Sequence, residues 1–133
     1  MRYLLLPALI MAGPTVAQEA DLSAPQQIIT DQIAAFASQD AEAAFVFASP
    51  MIQGLFGNPT NFGEMVRNGY PMVWFAQDLQ FLEVTPIPGG LRQRVMITDP
   101  QGRLHLLAYD LVRLPQGWRI NGVQLLTDTE RGA

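Results

Sequence analysis

The chain contains no cysteine and no lysine, and only one histidine, His105. Without cysteine there is no disulfide framework, no thiolate nucleophile and no attachment point for a lipid. Without lysine, and with a net charge of −4, there is no basic surface of the kind that holds nucleic acid or anionic lipid. A lone histidine with no H-x-H or H-x-x-E spacing leaves any metal to carboxylates, so no catalytic metal is expected, and no cofactor motif is present. Serine is scarce too. Beyond residue 17 only Ser23, Ser38 and Ser49 occur, all at expected helix ends, where capping accounts for them and leaves no candidate for serine hydrolysis. Gly89-Gly90 is followed by neither a helix pattern nor a lysine, so it is a loop and not a phosphate cradle.

Long apolar runs are also missing. The run Leu4 to Met11 is far short of the roughly 20 residues that span a bilayer. Preceded by Arg2, broken by Gly13-Pro14 and followed by the small-residue site Thr15-Val16-Ala17, it has the layout of a signal peptide over residues 1–17, cleaved before Gln18. The expected product is an exported, periplasmic or secreted protein with no membrane attachment after cleavage. It has seven arginines against twelve carboxylates, a net charge of −5. Residues 18–23 form a polar lead-in, 24–127 a single domain and 128–133 a polar tail.

The amino-terminal half has helical periodicity. Ser23 is the expected N-cap of a first helix, with Pro25 in its first turn, Gln26 at capping-box spacing and Ile29, Ile33, Phe36 and Ala37 as its apolar stripe. Asp40 caps a short second helix with a stripe of Ala41, Ala44, Phe45 and Ala48. Ser49-Pro50 starts another turn, stopped by Gly57 and Pro59. Asn61 with Glu64 is a further capping box, and its helix stops at Asn68-Gly69.

From Tyr70 the period becomes two. Strands are expected at 72–75, 79–85, 91–98, 103–114 and 118–127. DPQGR and LPQGW share one turn chemistry, proline followed two residues later by glycine, expected to close three-residue loops. In the second, that register sets Leu114 opposite Trp118 and Val112 opposite Ile120. A β-bulge at Asn121-Gly122 then keeps Val123 and Leu125 on the same side, opposite Asp110 and Ala108. Helices followed by an antiparallel meander predict an α+β domain, with the amino-terminal helices packed on one face of a strongly curved, cone-like sheet.

Three segments, QIIxxQIxAFxxxDxxxAFxFASP from Gln27, NFGEMVRNGYP from Asn61 and GWRINGV from Gly117, resemble a family of small exported bacterial proteins of unknown function. That family is similar in build to the nuclear-transport-factor-2-like superfamily, the cone fold that also includes ketosteroid isomerase. The likeness covers residues 25 to 127. It implies the fold and export, and no activity, because one fold hosts many functions.

Enzymes of cone fold place an aspartate, histidine or tyrosine inside an apolar pocket, where desolvation tunes its pKa. Here Asp110 is the candidate base. Its alternate neighbours Leu104, Leu106, Ala108, Val112 and Leu114 point it toward the core. A three-residue DPQG loop sets Arg92 across from it as an ion-pair partner, whereas a four-residue loop sets Leu91 there. Tyr70 or Tyr109 is the candidate donor. His105 shares a face with Tyr109 but lies roughly 13 Å from it at about 3.3 Å per residue. The stretch 51–75 is rich in methionine and aromatic residues, and Met51, Phe56, Phe62, Met65, Tyr70 and Trp74 are candidate ligand contacts, with core packing as the plain alternative.

The leading expectation is a non-catalytic module that binds a small apolar molecule or a protein partner. A cofactor-free isomerase or dehydratase using Asp110 and a tyrosine is the second. The third is a pocketless domain that forms a homodimer through its sheet, with Arg92, Arg94, Arg103 and Met96 at the interface.

Overall fold

The computed structural model describes residues 22–126. The expected signal segment, most of the lead-in and the polar tail lie outside the described residues. Among the described residues five helices precede the strands: α1 Ser23–Ala37, α2 Ala41–Phe45, α3 Pro50–Phe56, α4 Pro59–Gly69 and α5 Pro71–Trp74. Four strands follow: β1 Asp78–Ile87, β2 Gly90–Thr98, β3 Leu104–Leu114 and β4 Gly117–Leu125. The strands form one open antiparallel sheet in the order β1-β2-β3-β4. The architecture is α+β.

Several helix boundaries follow from single side chains. Asp40 accepts from the backbone N–H of Ala43 and caps α2. Ser49 accepts from Ile52 and caps α3, with Pro50 at its first position and Gly57 ending it at φ 85°. Such caps supply partners for N–H groups that the first turn leaves unpaired. Two starts differ from expectation. The cap of α4 is Asn58, which accepts from Asn61, so the helix opens three residues before the expected Asn61. Residue Ser23 is already inside α1, whose cap position is Leu22, and Gln26 donates to Gln93 instead of closing a capping box. The expected strand at 72–75 is the helical turn α5, because Pro71 occupies a first-turn position where its missing N–H costs nothing.

The two PQG turns are not equivalent. In the first, the Asp99 carboxylate accepts from the N–H groups of Gln101 and Arg103 at 2.9 Å each, and Asp99 N donates to Arg103 O. This closes a three-residue loop and places Arg92 opposite Asp110, as the sequence predicts for that loop length. In the second, the residue before proline is Leu114, which has no acceptor. Gly117 pairs directly with Leu114, and the turn holds only Pro115-Gln116. The expected β3–β4 register is therefore off by one: Ile120 lies opposite Leu111, and Val123 opposite Tyr109. The bulge at Asn121 is present, since Gly122 pairs with Asp110 and Ile120 with the adjacent Leu111.

The helices cover the sheet face that carries Leu91, Val95 and Ile97 of β2 and Leu107, Tyr109 and Leu111 of β3, all in one core with Ile29, Phe36, Phe62 and Trp74 of the helices. Phe62 is the hub of the helical layer, with ring centroids 5.4 to 6.0 Å from Phe36, Phe45 and Phe56. Such pairs contribute about 0.5–1.5 kcal/mol each beyond area burial.

His105 Nε2 lies 2.8 Å from Asp99 Oδ2 at the end of β3, and as the carboxylate is acceptor-only, the ring N–H donates. That hydrogen bond, with help from the backbone N–H groups of Arg103 and Gln101 and against the opposing effect of burial, holds the Asp99 carboxyl below its ordinary value. A depressed carboxyl stabilises the fold above the unfolded-state value of about 3.9, and that contribution is lost as pH falls through the folded value. Asp99→Asn is therefore expected to flatten the loss of Tm between about pH 5 and pH 3 relative to wild type. Parallel acid profiles for the two proteins would refute this role for the pair.

Candidate functional site

Between the helical layer and the sheet lies a cavity of about 240 Å³ lined by fourteen residues. Helix α1 supplies Gln32 and Phe36, and α3 supplies Ile52, Leu55 and Phe56. Phe62, Met65 and Val66 come from α4, followed by Tyr70 and by Val73 of α5, and the sheet closes it with Tyr109, Ile120, Gly122 and Val123. None of these side chains is charged.

Local hydrogen bonds hold the walls in place. The bulge turns Asn121 toward Ser49, whose hydroxyl donates to Asn121 Oδ1 at 2.7 Å while its oxygen caps α3. Ser49 N donates to Ile120 O, Ile120 N donates to Phe47 O, and Ala48 forms a parallel bridge with Ile120. The bulge in β4 thus anchors the start of α3 to the sheet at the cavity edge. Tyr70 donates its hydroxyl to Val123 O at 3.0 Å, fixing the opposite side. Gln32 is buried and donates Nε2 to Ala44 O, joining α1 to α2 beside the cavity. Helix α3 itself has no buried residue, and Leu55, 71 % exposed, forms part of the rim.

Tyr109 is completely buried, and its hydroxyl has no hydrogen-bond partner among the described residues. Burial, with a smaller contribution from Tyr70, pushes its pKa upward, so the hydroxyl stays protonated.

Of the side chains expected to contact a ligand, Phe56, Phe62, Met65 and Tyr70 line this cavity. Met51 does not. It sits on the exposed side of α3. Trp74 is buried behind the cavity with its ring 5.3 Å from Phe36, and lines a smaller cleft with Phe75 and Gln77. The residues that pattern alone did not single out are mainly Gln32, Val66, Val73 and Ile120, whose stripes look like ordinary core.

The expectation that Asp110 points into the core is corrected. Tyr109 and Leu111 are both in the core beneath the helices, so alternation sends Asp110 to the other face. There it receives two hydrogen bonds from Arg92, Nε to Oδ1 at 2.6 Å and Nη2 to Oδ2 at 2.9 Å. The reason lies in β2. Its even positions include Arg92 and Arg94 and its odd positions Leu91, Val95 and Ile97, so the arginine face must be the one without helices, and pairing carries Asp110 with it. Both faces of β3 are apolar enough to accept either choice. Asp110 and Tyr70 therefore do not share a site, and among the described residues no carboxylate lines the cavity to act as a base. Arg94 pairs with Glu83 at 3.1 Å on the same outer face. Exposed pairs of this kind contribute roughly 0–1 kcal/mol.

No curated protein and no solved structure matches the chain. The family model for a domain of unknown function, DUF4864, matches residues 18–133, and the chain belongs to that family.

Proposed function

We propose that this protein is an exported, non-catalytic module that binds a small, uncharged, mostly apolar molecule between its helices and a cone-like sheet of the nuclear-transport-factor-2-like build. The observation that carries the reading is an apolar cavity, open at the Leu55 rim, that the fold leaves between the helices and the sheet. Interiors normally pack to crystal density, and an apolar void forfeits contacts that an apolar guest restores. The bulges in β1 and β4 support the curved build, because each adds residues to one strand and bends it. The family match starts at residue 18, immediately after the expected cleavage point, which supports export. The absence of charged lining side chains among the described residues favours a neutral guest, since an unpaired buried charge is costly.

A cavity of about 150 Å³ accommodates benzene, so one of this size suits a guest of about ten heavy atoms, such as the bicyclic hydrocarbon tetralin. In protein recovered from the periplasm of a bacterial host, with Gln18 expected as its first residue, tetralin should bind saturably. Its amide chemical-shift changes should be confined to the cavity walls. Met65→Trp, which places a large ring where a half-buried methionine now lines the cavity, should abolish binding while the protein remains folded. No binding across a panel of hydrocarbons of this size would end the proposal.

A further inference from the structure

The chemistry of the guest can be narrowed, on the premise, taken from the proposed function, that the cavity is a binding site. Three polar side chains line it: Tyr70, Tyr109 and Gln32. The Tyr70 hydroxyl is committed to Val123 O. The Tyr109 hydroxyl is sealed from contact, so no guest reaches it. Gln32 differs from both. It lies on α1 one turn before Phe36, is 3 % exposed, and borders the cavity. Its Nε2 donates to Ala44 O of α2 at 3.1 Å. A carbonyl oxygen takes only a donor, so this bond fixes which way round the amide stands and leaves Oε1 on the other branch. Among the described residues Oε1 has no hydrogen-bond partner. The unpartnered side-chain atoms that are sealed from contact are Arg94 Nε and the Tyr109 hydroxyl, and Oε1 is not one of them. This acceptor therefore keeps some open surface, and the space that its buried side chain borders is the cavity. A buried acceptor without a donor is costly, and native structures rarely keep one.

We infer that the natural guest carries a hydroxyl group, of alcohol or phenol type, that donates a hydrogen bond to Gln32 Oε1. A cationic ammonium donor is disfavoured, because among the described residues no carboxylate lines the cavity to balance it. A carboxylic acid ionises at neutral pH and then only accepts. A pure hydrocarbon or a ketone leaves the glutamine acceptor unpaired.

The test uses three probes on one carbon skeleton: tetralin, 1-tetralone, which offers only an acceptor, and 1-tetralol, which adds a hydroxyl donor. Gln32→Met keeps the length of the side chain without its amide. Ala44 O retains the N–H of Phe47 as a partner, so the variant should fold with only a modest loss of Tm. Its affinity for tetralol should fall about five- to tenfold, the value of one ordinary hydrogen bond, while tetralin and tetralone stay within about twofold of wild type. In the wild-type protein the Gln32 Cδ resonance should move when tetralol binds and hold its place with tetralin. That measurement reads the contact in the unaltered chain, and it decides the matter even where the variant fails to fold. Tetralol affinity unchanged in Gln32→Met, or a Cδ resonance that ignores tetralol, would overturn the hydroxyl assignment while leaving the cavity a binding site. A tetralone affinity that falls in the variant as far as that of tetralol would make the amide N–H the contact, and would overturn it too. Failure of all three probes to bind would remove the site and this inference with it.

Discussion

Gly90→Ala is expected to destabilise the protein by about 3 kcal/mol or more, enough to lower Tm by well over ten degrees in a domain of this size. Gly90 opens β2 directly opposite Val112. A Cβ built on it would overlap the carbonyl oxygen of Leu111 and lie 2.8 Å from the Leu111 carbonyl carbon and 2.9 Å from Val112 Cα. All three are backbone atoms. No rotamer change relieves the overlap, so the β2–β3 ladder must move, and with it the strand that carries Tyr109. Gly54 provides the control. It lies inside α3, and an added Cβ would meet nothing within 4 Å. Gly54→Ala should therefore stabilise by about 0.5–1 kcal/mol through reduced backbone entropy of the unfolded chain. Urea unfolding of the two variants measures both effects, and a neutral Gly90→Ala would mean that the strands are not packed this closely.

Gln93→Leu should cost about 3 kcal/mol, an unexpected sign for a substitution that makes a core position more apolar. Gln93 is 1 % exposed and lies on the core face of β2 between Leu91 and Val95. Across from it β1 is irregular, its pairing shifting between Phe81 and Val84, so Leu82 and Glu83 fall outside the ladder. The Gln93 amide reaches the freed carbonyls, with Nε2 2.9 Å from Leu82 O and 3.4 Å from Glu83 O, and it also meets Arg94 O at 2.8 Å. Its Oε1 accepts from Gln26 Nε2 at 3.0 Å, tying α1 to the sheet. Leucine satisfies none of these groups. Each buried polar group left without a partner costs about 1–3 kcal/mol, which outweighs the gain from burying leucine in place of the amide. Gln26→Ala, which leaves one buried acceptor, Gln93 Oε1, without its donor, should cost about 1–2 kcal/mol, less than Gln93→Leu. A Gln93→Leu protein at least as stable as wild type would show that the irregular part of β1 needs no such partner.

Gln93 also illustrates what residue patterns reveal and what they hide. Its place on a buried face is visible from Leu91, Val95 and Ile97 on either side. Its purpose is not, because two of the three carbonyls it serves, those of Leu82 and Glu83, belong to another strand and are freed only by that strand's irregular pairing. The same division holds at the cavity. Phe56, Phe62, Met65 and Tyr70 stand out as large side chains on short helices, whereas Val123 and Tyr109 meet only after a one-residue change in hairpin register. That change traces to Leu114. With an aspartate before the proline, as at Asp99, side-chain acceptance closes a longer loop; with leucine there, nothing does.

By itself the sequence determined whatever depends on neighbours in the chain: the caps at Asp40 and Ser49, the DPQG loop and its pairing of Arg92 with Asp110, the bulge at Asn121, and the order of helices before strands. These are short-range choices made by side chains within a few residues of the backbone they bind. The tertiary structure alone decided which face of β3 lies under the helices, and so whether Asp110 or Tyr109 looks inward. Leu104, Leu106, Ala108 and Val112 make one face of that strand as apolar as the other, and only pairing with the arginine-bearing β2 and coverage by the helices resolve the choice. Removing Asp110 to the far side, and leaving a buried tyrosine with an unused hydroxyl in its place, is the outcome of that packing.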